Sequence, residues 1–334
     1  MTQIVLAVKI SLILCFTAFL LSFGGRWNFM LDNLSSFRLH FVIAFSICCL
    51  VLLLTKEYRW AGFGAVCTFV GLIPLIGWLI PPSSGRSAAS GETPIVVMSS
   101  NVRAGNSDAR KLVSLVRQER PNVLGLVELN PEFYAGLDSL KSLYPYRLEA
   151  PVPGYWGMAI FSDFPLSEEN VIHFEEDQPP VMSATLHTSN SAVQLILVHP
   201  RSPMTASWAG LRNEQLKDLA KYVAQANLPV IVLGDFNVAM WSPYYRQFVS
   251  HSDLLNTRQG ASIAGTWPTS QTFGVPIDHV LVSRSLGIGG FRVLPDIGSD
   301  HLPILAAVTV AHSDSHANAR HKKAFASGST VVRE

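Results

Sequence analysis

The chain has 334 residues, of which 49% are hydrophobic and 15% are charged, and its formal net charge is +1. The high apolar content excludes a disordered protein, the lack of a glycine repeat excludes a collagen, and four cysteines are too few for a small disulfide scaffold. Residues 1–82 contain only five of the 25 Lys and Arg residues and two of the 24 Asp and Glu residues, so an apolar first part precedes a polar second part.

Three apolar runs in the first part predict three transmembrane helices. The runs are Ile4–Phe23, Leu39–Leu54 and Trp60–Ile80. A helix needs about 20 apolar residues to cross a bilayer, and the second run reaches this length if Phe37 and Arg38 form its interfacial end. A cleaved signal peptide is the alternative for the first run, although the run is long for one and residues 22–25 form a poor cleavage site.

Basic residues beside the spans predict the orientation of this anchor. Lys56 and Arg59 lie in the short link between the second and third runs, and positively charged links favour the cytoplasmic side of a membrane. Three spans then place the second part of the chain on the other side. We therefore expect a multi-pass membrane protein with an extracytoplasmic domain.

The composition divides the chain into four segments. Residues 1–82 form the predicted membrane anchor, and residues 83–92, rich in Pro, Ser and Gly, form a predicted flexible tether. Residues 93–310 form the predicted folded domain. Residues 311–334 contain several His, Lys and Arg residues and little apolar content, so we expect a disordered tail, with metal or acidic-lipid contact as its alternative role.

Short apolar runs in the second part predict a β-rich domain. The predicted strands are Ile95–Ser99, Val123–Val127, Met158–Phe161, Met182–Leu186, Val193–Val198, Val230–Leu233, Ile277–Val282 and Ile304–Val310. Residues Ser107–Glu119 and Trp208–Ala226 have the apolar spacing of helices. Many strands with few helices predict an α/β (α+β) sandwich of two stacked β-sheets flanked by helices, after the three transmembrane helices.

Carboxylates lie directly beside several of the predicted strands. Glu128 follows one apolar run, Asp235 follows another, and Asp278 lies within a third. A charged group at such a position is costly unless it is paired or binds a cation. Further polar residues near predicted strand ends suggest one shared site: Asn101, His199, Asn237, Asp300 and His301. Oxygen and imidazole groups suit Mg²⁺ or Mn²⁺, and all four cysteines lie in the first part, which argues against structural zinc in the second.

Six short motifs identify a resemblance to a known family. They are Ser100-Asn101-Val102-Arg103, Val127-Glu128-Leu129, Val198-His199-Pro200, Gly234-Asp235-Phe236-Asn237, Ile277-Asp278-His279 and Gly298-Ser299-Asp300-His301-Leu302-Pro303. In this order they resemble the endonuclease/exonuclease/phosphatase superfamily over roughly residues 95 to 310. The Gly-Asp-Phe-Asn motif alone would be weak evidence, because a turn can use the same residues. The resemblance implies a metal-dependent hydrolase of phosphoric ester bonds, such as a nuclease, phosphodiesterase or phosphatase.

The resemblance also implies roles for the residues of the predicted metal site. Glu128 would be the principal ligand of Mg²⁺ or Mn²⁺, helped by Asn101 and, across the site, by Asp300. A cation at this position would stabilise the negative charge that develops on phosphate oxygens during hydrolysis. No thiolate takes part in such a site.

The remaining motif residues would take part in catalysis by the same resemblance. Asp235 would align or deprotonate the attacking water, and Asn237 would hold a phosphate oxygen. His301 would pair with Asp278, and His199 would be a second histidine facing the scissile phosphate. A carboxylate beside an imidazole fixes its tautomer and raises its pKa, which supports this pairing on chemical grounds.

Two positions separate the chain from one branch of the superfamily. The abasic-site endonucleases carry an acidic residue where Arg103 stands and a tyrosine where His199 stands. The pattern is closer to the pancreatic deoxyribonuclease and to the phospholipid and sugar-phosphate phosphatase branches. We therefore do not expect DNA repair.

Charge and layout favour a lipid-linked substrate. Residues 83–310 contain 16 basic and 20 acidic residues, whereas a non-specific nuclease gains affinity from a basic surface. The arrangement of three spans, a tether and a folded domain resembles that of bacterial membrane-anchored members of the superfamily that act on lipid pyrophosphates. This resemblance implies that the protein lies in a bacterial cytoplasmic (inner) membrane. Arg212, near His199 in the sequence, is a candidate clamp for a second phosphate, with a solvated helix charge as the alternative.

Three functions follow from these observations. The first is a membrane-tethered phosphoesterase that acts on a phosphate ester or anhydride and contacts membrane lipid. The second is a membrane-bound nuclease that cleaves DNA or RNA. The third, an inactive binding module, predicts a missing motif residue, yet every expected position is filled. No obligate protein partner is inferred.

Overall fold

The computed structural model describes residues 2–82, 86–87, 94–189 and 191–310. The predicted tail at residues 311–334, and all of the predicted tether except residues 86–87, lie outside this part of the chain.

The N-terminal part consists of helices that pack around an apolar core. They are α1 (Thr2–Leu21), α2 (Phe29–Ser35), α3 (Arg38–Leu54) and α4 (Tyr58–Leu79). The rings of Phe19, Phe41 and Phe45 pack against one another at this core, with centroid distances of 5.8 to 6.4 Å. In the described residues, α1 and α4 are each long and apolar enough to cross a membrane, and α2 with α3, bent by 65°, can form a third span.

The second part contains two β-sheets. Its strands are β1 (Arg86–Ser87), β2 (Ile95–Asn101), β3 (Val123–Val127), β4 (Tyr146–Ala150), β5 (Met158–Ser162), β6 (Leu166–Ile172), β7 (Val181–His187), β8 (Ala192–Val198), β9 (Val230–Asp235), β10 (Leu254–Asn256), β11 (Asp278–Ser283), β12 (Gly287–Val293) and β13 (Ile304–Thr309). The order in the first sheet is β1-β12-β13-β2-β3-β5-β4, and in the second it is β10-β11-β9-β8-β7-β6. The helices of this part are α5 (Arg110–Glu119), α6 (Pro131–Ala135), α7 (Ala206–Ala224) and α8 (Pro243–Ser252).

The two sheets stack face to face. Between them lies a core of buried aliphatic side chains from both sheets, including Val97 and Leu195. Gly125 lets the sheets approach closely, because a Cβ atom there would lie 2.7 Å from Leu233 and 2.9 Å from Leu197. Separate buried clusters fill the outer faces, beneath α5 on the first sheet and beneath α7 and α8 on the second. The predicted two-sheet sandwich flanked by helices is confirmed.

Strand pairing brings the ends of the central strands together. In the first sheet β2 and β3 run parallel, with Asn101 opposite Val127. In the second sheet β8 and β9 run parallel, with Val198 opposite Gly234, and the antiparallel pair β9 and β11 places Asp235 opposite Asp278. The polar residues that end or follow these strands therefore gather at one edge of the sandwich.

Several elements escaped prediction from the sequence. Strands β4, β6 and β10 lie at sheet edges, where only one neighbour must be matched and polar residues are tolerated. In β6, residues 168–171 are exposed, so the apolar run that marks a buried strand is missing. Helix α5 begins at Arg110 rather than Ser107, and α7 begins at Ala206, where the Thr205 side chain accepts a hydrogen bond from the Trp208 backbone N–H.

The N-terminal helices contact the sandwich directly. Asp32 of α2 forms an ion pair with Arg212 of α7 at 2.6 Å. The backbone N–H of Gly260 donates to the carbonyl of Trp78 at 2.9 Å. Val42 and Leu75 belong to the same buried cluster as the helical side of the second sheet. These contacts involve α2, the start of α3 and the end of α4, so the sandwich lies at one end of the helical bundle.

Candidate active site

Backbone geometry fixes the carboxylates at the strand ends. Glu128 follows the last residue of β3 and adopts the left-handed conformation, with φ of 57°, so the chain turns away from the strand direction at this residue. Gly234 has φ of 142° beside Asp235, and a Cβ atom there would collide with the carbonyl of Val198. Only glycine therefore allows β8 and β9 to pair closely at this point.

Asn101 links two of the carboxylates. Its amide nitrogen donates to Oε1 of Glu128 at 2.9 Å and to Oδ2 of Asp235 at 3.1 Å. Its amide oxygen accepts a hydrogen bond from the backbone N–H of Arg103 at 2.9 Å. The second oxygen of Glu128 accepts from the backbone N–H of Ala104 at 2.8 Å. Glu128 and Asp235, which are distant in sequence, are thus held side by side.

Asp235 is the most deeply buried carboxylate of the group, with a side-chain exposure of 1%. Its Oδ1 atom accepts a hydrogen bond from the backbone N–H of Asn237 at 2.8 Å. Burial raises the pKa of Asp235 to about 6, even though His301 and His199 oppose this shift and Asp278 adds to it. A carboxylate whose pKa lies nearer neutrality can exchange a proton with water more readily than an ordinary aspartate.

His301 and Asp278 form a buried hydrogen-bonded pair. The Nδ1 atom of His301 lies 3.0 Å from Oδ2 of Asp278, and both side chains are nearly inaccessible to solvent. Burial alone would lower the pKa of His301, but Asp278 and Asp235 raise it to about 10. Burial likewise opposes ionisation of Asp278, yet the charge and hydrogen bond of His301 hold its pKa below the usual range. The pair is an imidazolium beside a carboxylate.

His199 faces the same carboxylates from β8. Its Nδ1 donates to the backbone carbonyl of Tyr155 at 3.1 Å, since a carbonyl can only accept. Its Nε2 then points towards Oδ2 of Asp235 at 3.6 Å and Oε1 of Glu128 at 3.7 Å. The ring of Trp156 packs 5.6 Å from the imidazole. The Tyr155 contact therefore selects which nitrogen faces the site.

Asn237 and Asp300 complete the set of predicted site residues. Asn237 adopts the left-handed conformation, with φ of 50°, and its side-chain amide donates to the carbonyl of Pro200 at 3.0 Å. Asp300 lies next to His301 in the chain and accepts a hydrogen bond from the indole of Trp267 at 3.3 Å. Asp300 also contributes to the raised pKa of His301, which places its charge close to that imidazole.

The structure gives Arg212 a different position from the predicted phosphate clamp. Its side chain is 1% exposed and bonds to Asp32 at 2.6 Å. The same guanidinium donates to the carbonyl of Asn237 at 2.9 Å and to Oδ1 of Asn213 at 2.7 and 3.0 Å. Because these protein acceptors surround it, the side chain is not offered to a substrate phosphate.

Some supporting residues were missed from the sequence. The Ser299 hydroxyl donates to the carbonyl of Asn101 at 2.8 Å and accepts from the backbone N–H of His301, so it ties two motifs together. Its place in the last motif was a usable signal. Tyr155 and Trp267 lie outside the six motifs, so the sequence gives no signal for them. Tyr155 acts through its backbone carbonyl and Trp267 through its indole N–H.

The donor chemistry fits a hard divalent cation. Among the described residues, ligand atoms of Asp235, Asp278 and His301 lie within 4.8 Å of one another. Asp278 and His301 bond to each other, so Glu128, with 15% of its side chain exposed, is the more available oxygen donor. Closely spaced carboxylates repel one another, and a cation would offset that repulsion.

Comparisons with known proteins agree with the family resemblance seen in the sequence. The Endonuclease/Exonuclease/phosphatase family matches residues 98–301, which contain every predicted site residue described above. The comparison with curated proteins gave no match.

Solved structures share the fold of the second part. A humanized D. rerio TDP2 has 20% identity and a TM-score of 0.54, with coverage of 65% of this chain and 99% of that one. An endonuclease/exonuclease/phosphatase from Beutenbergia cavernae has 18% identity and a TM-score of 0.56, with coverage of 65% and 72%. The human Nocturnin catalytic domain, solved with a sulfate anion, has 22% identity and a TM-score of 0.51, with coverage of 65% and 94%.

Proposed function

The chain belongs to the endonuclease/exonuclease/phosphatase family, and from that premise we propose that it is a membrane-anchored phosphoesterase. It uses Mg²⁺ or Mn²⁺ and hydrolyses a phosphate ester or anhydride of a lipid-linked substrate. The observation that carries the chemistry is the convergence of two histidines on one carboxylate. His199 and His301 direct their Nε2 atoms to Oδ2 of Asp235 at 3.6 and 3.5 Å.

Asp235 acts on the attacking water in this proposal. A water molecule beside its carboxylate loses a proton to it as the oxygen forms a bond to phosphorus and the bond to the leaving oxygen breaks. The raised pKa of Asp235, about 6, suits this transfer because the group is ionised at neutral pH yet more basic than a free aspartate. The backbone N–H of Asn237 orients the carboxylate through Oδ1.

The imidazoles stabilise the negative charge of the phosphoryl group. His301, kept protonated by Asp278, donates from Nε2. His199, whose Nδ1 proton bonds to the Tyr155 carbonyl, donates from Nε2 when its ring carries a second proton. Asn237 is held through its backbone carbonyl and one N–H of its side-chain amide, and the second N–H of that amide would donate to a phosphate oxygen.

Glu128, with Asn101 and Asp300, would hold the divalent cation. The bound cation would supply positive charge to the phosphate oxygens. Glu128 is suited to this role because backbone and side-chain donors fix both of its oxygens while part of the side chain stays accessible.

The position of the active-site loops supports a lipid-linked substrate. Asn33 of α2 donates to the carbonyl of Pro203, in the loop that follows His199, at 3.1 Å. His40, near the start of α3, bonds to the carbonyl of Phe273, in the loop before Asp278, at 2.9 Å. Two loops next to catalytic residues therefore rest on helices that can span a bilayer.

Exposed apolar side chains mark the same loops and the first turn of α7. Met204 is 71% exposed, Trp208 44% and Phe273 67%. Large exposed apolar side chains beside a membrane-spanning segment favour contact with lipid rather than with water. A phosphate head group could reach the histidines while its hydrocarbon chain remains in the bilayer.

Cleavage of nucleic acid is the competing activity, and one experiment separates the two. D. rerio TDP2, one of the structurally similar proteins, was solved with a single-stranded DNA product. The full-length protein in lipid nanodiscs with Mg²⁺ is offered polyprenyl pyrophosphate and, separately, plasmid DNA. We expect release of phosphate from the lipid and intact plasmid. Plasmid cleavage with unchanged lipid would replace our proposal with the nuclease.

The cell compartment is part of the same proposal. The sandwich packs at the end of the bundle formed by α2, the start of α3 and the end of α4. The link at residues 55–59, which contains Lys56 and Arg59 and includes the first turn of α4, lies at the opposite end of the bundle. With that basic link in the cytoplasm of a bacterium, the active site faces outwards. A carboxyl-terminal reporter that is active only outside the cytoplasm should then be active.

A further inference from the structure

Helix α2 carries a buried carboxylate that bonds to the sandwich. Asp32 is 2% exposed. Its Oδ2 accepts from the Arg212 guanidinium and its Oδ1 from the Ser242 hydroxyl, both at 2.6 Å. Gly25 makes room beside it, because a Cβ atom there would lie 3.0 Å from the Cα of Asp32. Both bonds run from the N-terminal helices to the catalytic sandwich.

Arg212 passes this contact on to the active site. One arm of its guanidinium binds Asp32, and the other donates to the carbonyl of Asn237 at 2.9 Å. Asn237 in turn uses its backbone N–H to hold Oδ1 of Asp235 at 2.8 Å. Three successive hydrogen bonds therefore connect a carboxylate of the membrane anchor to the carboxylate that faces both catalytic histidines.

The second bond of Asp32 holds the far end of the same loop. Ser242 is the N-cap of α8, and its side chain accepts from the backbone N–H of Tyr244. The loop from Asn237 to Ser242 connects β9 to α8, so Asp32 reaches it at both ends, once through Arg212 and once directly. Asn237 adopts the left-handed conformation, which asparagine tolerates better than most residues, so the turn at the start of this loop costs little and the two bonds of Asp32 fix its position.

We propose that Asp32 is a positioning residue for catalysis. Its carboxylate, acting through Arg212, holds Asn237 and thereby Asp235 in the catalytic geometry, so the N-terminal helices complete the active site in addition to anchoring it. This role goes beyond the proposed reaction and concerns any chemistry performed by Asp235. This role favours Arg over Lys at position 212, since two separate nitrogens of the guanidinium bind Asp32 and the Asn237 carbonyl, whereas a lysine would have to make both bonds from one atom.

Asp32→Asn in the full-length protein tests this proposal. The substitution preserves the shape of the side chain and can keep the Ser242 bond, but it removes the charge that pairs with Arg212. With Mg²⁺ and bis(p-nitrophenyl) phosphate, a small soluble probe, we expect kcat per folded molecule to fall about tenfold or more, with KM changed much less. A general loss of stability would lower the folded fraction and would leave kcat per folded molecule unchanged.

The matched control is Glu57→Gln. Glu57 forms an ion pair with Lys9 at 2.8 Å and precedes α4 at the end of the helical bundle away from the sandwich. We expect its kcat to stay within about twofold of the wild type, since the pair is partly exposed. Arg212→Lys should reproduce the loss seen in Asp32→Asn, and it replaces that variant if Asp32→Asn does not fold.

Hydrogen–deuterium exchange provides a readout that does not depend on activity. We expect faster exchange in peptides that cover residues 234–242 of Asp32→Asn, and unchanged exchange in β2. Unchanged kcat together with unchanged exchange in a folded Asp32→Asn or Arg212→Lys protein would overturn the proposal. If the wild type hydrolyses no phosphate ester, the proposed function fails, and the exchange comparison still decides the role of Asp32.

Discussion

His199 and His301 reach the same carboxylate oxygen from two different loops, with their Nε2 atoms 3.6 and 3.5 Å from Oδ2 of Asp235. In each ring the other nitrogen is already engaged, by the Tyr155 carbonyl in one case and by Asp278 in the other. The protein therefore determines which nitrogen faces the site before any substrate arrives. This convergence is the geometric basis of the proposed phosphoester hydrolysis.

Asp278→Asn should lower kcat by about a hundredfold or more, because an amide cannot stabilise the positive charge of His301. The measurement is the initial rate of hydrolysis at saturating Mg²⁺, with KM determined in parallel. His251→Ala is the control, since His251 is an exposed residue at the end of α8 and lies outside the site. A rate for Asp278→Asn within about threefold of the wild type would show that the His301–Asp278 pair is not part of the chemistry.

Glu128→Gln should weaken Mn²⁺ binding by about tenfold or more, because it removes one negative charge and one oxygen donor from the site. Titration of Mn²⁺ followed by electron paramagnetic resonance measures this without any substrate. Chelation with EDTA should abolish activity, and added Mg²⁺ should restore it. Glu132→Gln, an exposed substitution four residues away on α6, should bind Mn²⁺ like the wild type. Equal affinity in both variants would remove Glu128 as a ligand.

The sequence predicted the buried central strands and the carboxylates at their ends, because few residue types are compatible with those positions. The central strands are continuous apolar runs, and the carboxylates that follow them stand out because charge rarely adjoins a buried strand without a purpose. The order of six motifs then pointed to the fold. Edge strands such as β6 were not predictable, because an edge position accepts polar residues and leaves no periodic signal.

Arg212 shows why pairwise contacts lie beyond the sequence. A cation on a helix near His199 in the sequence fits a phosphate clamp, a solvated charge and a buried ion pair equally well. The partner that decides between them, Asp32, lies 180 positions earlier, in a segment interpreted only as a membrane anchor. Apolar runs predict that a helix can cross a bilayer, but they do not indicate which side of it packs against a folded domain.

Stability should decrease in acid partly because of His279. Burial and the nearby charge of Arg258 lower its pKa from the ordinary 6.5 to about 3, so the folded state keeps the imidazole neutral. Its Nε2 donates to the Val238 carbonyl, and its Nδ1 accepts from Asn256. The unfolded chain takes up a proton below pH 6.5 and the folded state does not, so this residue removes up to about 1.4 kcal/mol of stability per pH unit as the pH falls towards 3.

Unfolding measurements between pH 7 and about pH 5 check this contribution. The loss of unfolding free energy with decreasing pH should be smaller in His279→Gln, which cannot take up a proton, than in the wild type. His251→Gln replaces an exposed histidine and should retain the wild-type pH dependence. Identical slopes in wild type and His279→Gln would show that the imidazole is protonated in the folded state.

The apolar loops should matter only when the substrate carries a lipid. Met204→Ser combined with Phe273→Ser removes two exposed apolar side chains and leaves the proposed catalytic residues in place. Both side chains lie in loops that contact the N-terminal helices, one through the Pro203 carbonyl and the other through the Phe273 carbonyl. Burying side chains of this size in a bilayer contributes about 1.5 to 3 kcal/mol each. We therefore expect kcat/KM for polyprenyl pyrophosphate in nanodiscs to fall by about tenfold or more.

Hydrolysis of soluble bis(p-nitrophenyl) phosphate provides the internal control for the same double variant. It should proceed at the wild-type rate, because this probe needs no contact with a hydrocarbon surface. Val171→Ser is the control substitution, since Val171 is a 46% exposed apolar residue on edge strand β6. Equal losses on both substrates would indicate a distorted active site, and no loss on either would mean that the substrate reaches His199 and His301 from water rather than from the membrane.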